Sequence, residues 1–205
     1  MSARRSRQPS LSAAQGLLKL VQGNERFVSG RARFPTVCKE TLAAMTRGQR
    51  PFATILGCSD SRVPPELIFD ANFGELFILR VAGNVISPEV MGSMQYARSH
   101  LHTPLFVVLG HEGCGAVQAA LEYKLHRVKH LSRIQALLQN ILPGLPDSRQ
   151  KLSGKKLLAQ AVEANVRWSM RQLRETPEGS KALKEGARLV GAVYEIASGH
   201  VRFLP

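Results

Sequence analysis

Three short, almost continuous apolar runs stand out along the chain, at residues 52–57, 76–81 and 105–110. Runs of this length without polar alternation are typical of strands buried on both faces, as in a parallel sheet. Residues 88–102, between the second and third runs, have the spacing of a helix, and another helical segment follows Gly115. Strands that alternate with helices in this way predict a parallel α/β sheet with crossover helices.

Helical spacing of apolar residues also predicts two helices before the first run, at residues 12–29 and 39–47, with Gly30 as the stop of the first. Residues 131–185 are helical in pattern and are interrupted by a proline- and glycine-containing stretch at 143–146. One long helix in this region has an apolar stripe that we interpret as core or subunit interface. The stripe consists of Leu157, Leu158, Ala161, Val162 and Val166.

Two further apolar runs, residues 189–196 and 201–204, close the chain and are separated by Ser198 and Gly199. They predict a C-terminal hairpin that adds antiparallel strands at a sheet edge. The predicted fold class is therefore α/β, with a mostly parallel β-sheet core flanked by helices, N-terminal helices and this antiparallel hairpin. We expect a basic, flexible tail over residues 1–11 and a single domain over residues 12–205, a length that suits one domain.

Composition narrows the class of protein. With 44% hydrophobic residues among 205, the chain is too apolar for a disordered protein, and no stretch approaches the roughly 20 apolar residues of a membrane span. The arginines near the N-terminus are not followed by the apolar segment of an export signal. We therefore expect a cytoplasmic protein with no membrane partner.

A formal net charge of +13 raises the possibility of a nucleic-acid partner. The basic residues are scattered along the chain, however, and they form no basic-aromatic motif of the kind that binds RNA. Charge of this kind more often sets solubility than function. The sequence thus does not favour nucleic-acid binding, although a basic module built around a structural zinc remains an alternative.

The three cysteines, Cys38, Cys58 and Cys114, cannot form a complete disulfide framework. Cys58 directly follows the first apolar run, His111 directly follows the third, and Cys114 lies three residues later in a glycine-rich turn. Because ligands bind outside the carboxyl ends of parallel strands, these three side chains should meet. Two thiolates and an imidazole favour Zn²⁺ and leave a fourth position for water, as in catalytic zinc sites. Cys38 lacks such a context, and we interpret it as a packing residue.

Asp60 and Arg62 stand two residues apart in the segment that follows Cys58. Such a pair can form charge-assisted, bidentate hydrogen bonds, which would leave one carboxylate oxygen to accept a hydrogen bond from metal-bound water. The alternative is a surface ion pair of little consequence. The position beside a candidate metal ligand favours the functional interpretation.

Together these residues form two motifs, Cys-x-Asp-x-Arg at Cys58, Asp60 and Arg62, and His-x-x-Cys at His111 and Cys114. In this the chain resembles the β-class carbonic anhydrases. The resemblance covers roughly residues 12–204 and includes residues 25–27, residues 80–84 and the terminal hairpin. It implies a parallel sheet flanked by helices, assembled as a homodimer or a dimer of dimers with the active site at the subunit interface.

The resemblance also implies a function and a set of site residues. One Zn²⁺ per chain is implied on Cys58, His111 and Cys114, with Asp60 and Arg62 as catalytic residues. The implied reaction is the reversible hydration of CO₂ to bicarbonate and a proton, by attack of zinc-bound hydroxide on CO₂. The implied substrate-binding residues are Gln49 for bicarbonate, Phe77 and Tyr96 supplied by the neighbouring subunit, Ala82, and Gly115 after the last ligand.

Two alternatives share the zinc ligands: a hydrolase of carbonyl sulfide or carbon disulfide, and a catalytically silent carbonate sensor, which the intact Asp60 and Arg62 disfavour. The sequence also departs from one variant of the family. Some bacterial members have a tryptophan three residues before the first cysteine, where it helps to form a non-catalytic bicarbonate pocket; Ile55 stands there instead, and the single tryptophan is Trp168. We therefore predict an open site in which Arg62 holds Asp60.

Overall fold

A five-stranded sheet forms the centre of the computed structural model, which describes residues 11–33, 38–146 and 154–205. The strand order is β2-β1-β3-β4-β5. The strands are β1 (Ala53–Gly57), β2 (Leu76–Arg80), β3 (Leu105–His111), β4 (Arg188–Tyr194) and β5 (Val201–Phe203). The first four run parallel to one another, and β5 pairs antiparallel with β4. The predicted parallel α/β sheet is confirmed.

Helices cover both faces of this sheet. They are α1 (Ala13–Val28), α2 (Lys39–Met45), α3 (Pro65–Ile68), α4 (Pro88–Ser99), α5 (Gly115–His126), α6 (Ser132–Ile141), α7 (Gly154–Glu175) and α8 (Pro177–Lys184), with 3₁₀ turns at Ala82–Asn84 and Leu142–Gly144. All the long helices match predicted segments. The single-turn helix α3 was not predicted, because four residues are too few to show a periodicity.

The first helix shows why its predicted limits were correct to one residue. Ser12 caps it, since the Ser12 hydroxyl accepts a hydrogen bond from the backbone of Gln15 and the Gln15 side chain accepts one from the Ser12 backbone. At the other end the chain leaves the helix through Gly30, with a φ of 69°. Leu20 on the inner face is fully buried.

Burial differs between the strands in a way that follows from their order. Every residue of β1 and β3 is buried, as predicted for strands covered on both faces. The same prediction was wrong for β2, which is buried only at Leu76 and becomes exposed towards Arg80. The reason is that β2 forms one edge of the sheet. An apolar run alone does not reveal which strand will lie at an edge.

The C-terminal hairpin is confirmed as an element, but its relation to the sheet differs from the prediction. We expected both of its strands to add antiparallel. Instead β4 pairs parallel with β3, and only β5 runs antiparallel, at the edge. The 3-residue length of β5 keeps this exposed edge short.

The long helix α7 lies across the carboxyl half of the sheet. Ala161, Val162 and Val166 are buried, and Leu157 and Leu158 pack at the margin of the same apolar cluster, which confirms that the stripe is core. A Cβ atom on Gly110 in β3 would come within 2.6 Å of Val166 Cγ2. The helix therefore packs directly on the end of the strand that carries His111.

The predictions for Cys38, for the N-terminal tail and for the single domain have different outcomes. Cys38 is exposed at the start of α2, so the interpretation of Cys38 as a packing residue was wrong. The expected tail over residues 1–11 falls almost entirely outside the described residues, and the single domain over residues 12–205 stays a prediction.

Within the described ranges, none of the helices combines the length and the apolar character that a bilayer crossing requires.

Candidate metal centre

Three side chains with metal-binding atoms meet at the carboxyl ends of β1 and β3. The candidate ligand atoms of Cys58, His111 and Cys114 all lie within 4.8 Å of one another, and all three residues are buried. The two strands are neighbours in register, with Gly57 opposite Leu109, so their ends lie side by side. Cys58 and His111, which are 53 positions apart in the sequence, therefore lie close together as predicted.

His111 is held in the orientation that a metal ligand needs. It is the last residue of β3 and lies opposite Tyr194, whose carbonyl accepts the Glu112 N–H. The ring atom Nδ1 lies 2.9 Å from the Glu112 carbonyl oxygen, which can only accept, so Nδ1 carries the proton. Nε2 is then left with a lone pair, and this buried atom has no hydrogen-bond partner among the described residues.

The donor set fits a zinc ion. A buried, unpartnered imidazole nitrogen beside two sulfur atoms is costly unless a Lewis acid occupies the space between them. Sulfur and imidazole are the ligands that Zn²⁺ prefers, and the carbonyl partner on the far side of the ring is the usual second support of such a histidine.

The surroundings of Cys58 favour its thiolate form. The hydrogen bond with Cys114 lowers the pKa of Cys58 most, and the backbone N–H groups of Gly83 and Asp60 lower this pKa further against the opposing effect of burial. The Gly83 N–H donates to Cys58 Sγ at 3.3 Å. The hydrogen bond with Cys58 raises the pKa of Cys114, so the metal-free pair of thiols shares one proton, which a cation bound between the two sulfur atoms would displace.

Asp60 and Arg62 form the bidentate pair that the sequence predicted. Arg62 donates from Nε to Asp60 Oδ1 at 2.9 Å and from Nη2 to Oδ2 at 2.7 Å, and the Arg62 backbone N–H donates to Oδ1 at 2.9 Å. These hydrogen bonds from Arg62 hold the pKa of Asp60 well below its usual range. Oδ2 accepts only one of the three bonds and lies 3.9 Å from His111 Nε2. One lone pair of Oδ2 therefore remains beside the ligand cluster.

Arg80 ties the segment carrying these residues to the neighbouring strand, and the sequence reasoning assigned it no role. From the end of β2 its Nε donates to the Cys58 carbonyl at 2.9 Å, and its Nη2 donates to the Asp60 carbonyl. The signal was present in the sequence, because a cation ends the strand next to the one that precedes the first cysteine. Its meaning depended on knowing that the two strands are adjacent.

Two polar residues of α7, Asn165 and Ser169, were also missed. Asn165 Nδ2 donates to the Gly83 carbonyl at 2.8 Å, and Ser169 Oγ donates to the Asn84 carbonyl at 3.0 Å. Both lie on a helix far along the chain from Cys58, next to the apolar stripe of that helix. No sequence spacing links them to the metal centre.

The five substrate-binding positions divide into two groups. Ala82 and Gly115 lie beside the ligands of the same chain, since Ala82 precedes Gly83 and Gly115 follows Cys114. Phe77 lies opposite Thr54, four residues before Cys58, which is roughly 13 Å along the strand at about 3.3 Å per residue.

Tyr96 and Gln49 share the remote position of Phe77. Tyr96, on α4, stacks on Phe77 with ring centroids 6.2 Å apart and is 47% exposed. Gln49 is exposed and precedes β1, at the end of the strand opposite to Cys58. The structure does not bring these three residues to the metal centre of their own chain.

Ile55 and Trp168 lie in different parts of the fold. Ile55 is fully buried in the middle of β1, and the Trp168 indole N–H donates to the Asn140 carbonyl between α7 and α6. The indole is thus engaged away from the segment that carries Cys58.

Comparisons with known proteins agree on the family. A family model described as carbonic anhydrase matches residues 53–201. The chain is 48% identical to carbonic anhydrase 2 of Mycobacterium tuberculosis over 113 residues, which is 55% of each chain, so this match spans about half the length of that relative. It is 35% identical to a carbonic anhydrase of Mycolicibacterium smegmatis over 182 residues, 89% of this chain and 88% of the relative.

Among solved structures, the β-carbonic anhydrase CcaA superimposes with a TM-score of 0.74 at 27% identity and covers 92% of this chain and 91% of its own. The parallel sheet with its antiparallel edge strand and the Cys-His-Cys cluster agree with that likeness. The chain belongs to the carbonic anhydrase family, in its β class.

Proposed function

We propose that this chain interconverts CO₂ and bicarbonate at a zinc ion held by Cys58, His111 and Cys114. The observation that carries the proposal is the position of Asp60 Oδ2, which lies beside this ligand cluster with a lone pair that Arg62 leaves unused. When bound, zinc supplies a Lewis acid that makes a water molecule nucleophilic near neutral pH. The protein side chains then decide how that water and the substrate are oriented.

Asp60 acts as a fixed hydrogen-bond acceptor in this proposal. Because the pKa of Asp60 lies far below neutrality, its carboxylate is a poor base and stays ionised throughout the working range. It can therefore orient the proton of the attacking water without removing it. Arg62 fixes the carboxylate through two parallel bonds, which restricts Oδ2 to one direction.

Space beside the ligands suits a small, apolar substrate. A Cβ atom on Gly115 would meet nothing within 4 Å, and Ala82 presents only a methyl group. CO₂ is compact and uncharged, so it requires little more than a small cavity next to Oδ2. These two residues are the contribution of the zinc-binding chain to the substrate site.

A second copy of the chain supplies the rest of the site in our proposal. Gln49, Phe77 and Tyr96 lie too far from the zinc ligands of their own chain to contact a substrate there. The exposed Tyr96 ring and the stacked Phe77 are available to complete the centre of a partner. We therefore propose a homo-oligomer with the site at the subunit interface, as a dimer or a dimer of dimers.

Mixed oligomers test this shared site. Cys58→Ala should abolish activity in its own chain but leave Gln49, Phe77 and Tyr96 intact, whereas Gln49→Ala combined with Tyr96→Ala should do the reverse. Co-expression of the two inactive variants with different purification tags should restore about a quarter of the wild-type activity, since half of the dimers are mixed and one of their two sites is complete. If purified dimers that contain one chain of each variant show no CO₂ hydration, the proposal of a shared site is contradicted.

The catalytic proposal is tested by stopped-flow hydration of CO₂ together with the zinc content of the same sample. Wild type should bind one zinc per chain and be active, and Cys58→Ala should lose both properties. Carbonyl sulfide and carbon disulfide should be assayed in parallel. Rapid turnover of either sulfur compound with little CO₂ hydration would contradict CO₂ as the substrate.

We also propose that the protein acts in the cytoplasm. All the cysteines are free, and Cys38 is an exposed thiol. An exposed thiol persists most readily in a reducing compartment. Localisation of a tagged chain by cell fractionation tests this directly.

A further inference from the structure

The backbone turn at Gly83 and Asn84 connects the metal centre to a distant part of the chain. The turn follows β2, and the Gly83 N–H points at Cys58 Sγ, the first of the proposed zinc ligands. Gly83 and Asn84 both have positive φ angles, 67° and 45°. Few residues other than glycine adopt this conformation, although asparagine does so more readily than most, and contacts from outside the turn add to its stability.

Helix α7 provides that stabilisation through two polar side chains one helical turn apart. Asn165 Nδ2 donates to the Gly83 carbonyl at 2.8 Å, and Ser169 Oγ donates to the Asn84 carbonyl at 3.0 Å. The Asn84 side chain also reaches Ser169 Oγ, at 3.5 Å. Two successive carbonyl groups of the turn are thus held from one helix face.

The polar side chains of this network are almost completely removed from solvent. Asn84, Asn165 and Ser169 are each 1% exposed. Along the helix Asn165 lies between the buried residues Val162 and Val166, and its Oδ1 has no hydrogen-bond partner among the described residues. A buried amide with an unsatisfied oxygen costs free energy that an apolar residue would avoid. Packing alone therefore does not account for an asparagine at this position.

The position of α7 is itself fixed at the metal centre. Val162 and Val166 pack against Gly110, the residue before His111, at distances that leave no room for a Cβ atom on that glycine. The same helix face that holds the Gly83 turn thus also contacts the strand end bearing the histidine ligand. The turn and the ligand strand share one rigid support.

We propose that Asn165 and Ser169 are positioning residues of the metal centre, because they hold the Gly83 turn so that its N–H stays directed at Cys58 Sγ. A hydrogen bond to a metal-binding sulfur stabilises the thiolate and orients it, and partners of this kind typically change metal affinity 10- to 100-fold when they are lost. The inference rests on the proposed zinc site, to which it adds a support from the C-terminal half of the chain.

Zinc affinity, measured by competition with a chelator of known strength, tests the inference. Asn165→Ala should weaken zinc binding about tenfold. The matched control is Asn24→Ala, which removes another buried amide that holds backbone groups, those of Ile68, Gly199 and Val201, away from the metal centre. Asn24→Ala should lower the free energy of unfolding and leave zinc affinity unchanged.

Cobalt replacement gives a second readout that loss of stability alone would not move. The energy of the sulfur-to-cobalt charge-transfer absorption reports on the sulfur ligands, so loss of an N–H···S hydrogen bond should shift this band in Asn165→Ala. It should stay in place in Asn24→Ala. An unchanged band and unchanged zinc affinity in a folded Asn165→Ala protein would overturn the inference.

Ser169 variants keep the test decisive if Asn165→Ala does not fold. Ser169→Ala should weaken zinc binding about threefold, the size of one ordinary hydrogen bond, and Ser169→Thr, which retains the hydroxyl, should restore it. Equal zinc affinity in both variants and in wild type would overturn the inference. If wild type still binds zinc and Cys58→Ala does not, the proposed zinc site stands and only the role of Asn165 and Ser169 is overturned. Wild type that binds no zinc would remove the proposed function as well.

Discussion

Asp60 is the residue on which the proposed chemistry depends most directly. Asp60→Asn keeps the shape of the side chain but places an N–H₂ donor in one of the two oxygen positions. Since the Arg62 guanidinium only donates, it retains the remaining oxygen, and the amide nitrogen then faces the ligand cluster where Oδ2 stood. We expect kcat for CO₂ hydration to fall by at least about a hundredfold. Zinc per chain should stay at the wild-type value, and near-normal activity with a full complement of zinc would contradict the role of Asp60.

The pKa of Asp60 gives a second prediction at the scale of single residues. Because Arg62 lowers this pKa in the folded protein, the contribution of the pair to stability is complete above the pKa of an unfolded Asp, about 4. It is lost as the pH falls through the lower value of the folded state. The difference in free energy of unfolding between wild type and Arg62→Ala should therefore be constant from pH 8 to 5 and shrink below pH 4. Urea unfolding across this range measures it, and a difference that grows on acidification would contradict the assignment.

At the scale of elements, the turn Ala82–Asn84 is where close packing and backbone conformation act together. A Cβ atom on Gly83 would lie 2.8 Å from Ile141 Cδ1 and 3.1 Å from Ala116 Cβ, at a φ of 67°. Gly30 has a similar φ of 69° with nothing within 4 Å, so it is a matched control. Gly30→Ala should cost about 1–2 kcal/mol of strain. Gly83→Ala should cost about 1–3 kcal/mol more from overpacking, as measured by urea unfolding; equal losses would show that α5 and α6 do not confine the turn.

The same scale shows what the sequence could and could not predict. The three ligands were predictable because a parallel sheet brings the carboxyl ends of its strands to one edge, wherever the strands lie along the chain. Asp60 and Arg62 were predictable because their pairing is local. Arg80, Asn165 and the half-exposed β2 were not, because each depends on which elements become neighbours. Strand order and the approach of α7 follow from the packing of the whole core, and no short pattern encodes them.

For the whole molecule, zinc should act as a link between distant parts of the chain. Its ligands come from the end of β1 and from the end of β3 with the start of α5, so an ion bound only in the folded state stabilises that state. At a free concentration 100 times its Kd, a ligand adds about 2.7 kcal/mol. For a chain of this size that corresponds to an increase in Tm of roughly 5–10 °C. Calorimetry before and after chelation measures it, and Cys58→Ala should melt at the lower temperature with or without zinc.

The guanidinium of Arg80 has a mechanical consequence for the centre. It donates hydrogen bonds to the carbonyls of Cys58 and Asp60 at once. The residue with the sulfur ligand and the residue with the hydrogen-bond acceptor are thus both attached to one planar, rigid group. Because one planar group holds both carbonyls, the backbone at Cys58 and the backbone at Asp60 are restrained relative to each other. Motion of β2 at this edge of the sheet should therefore displace Cys58 and Asp60 together.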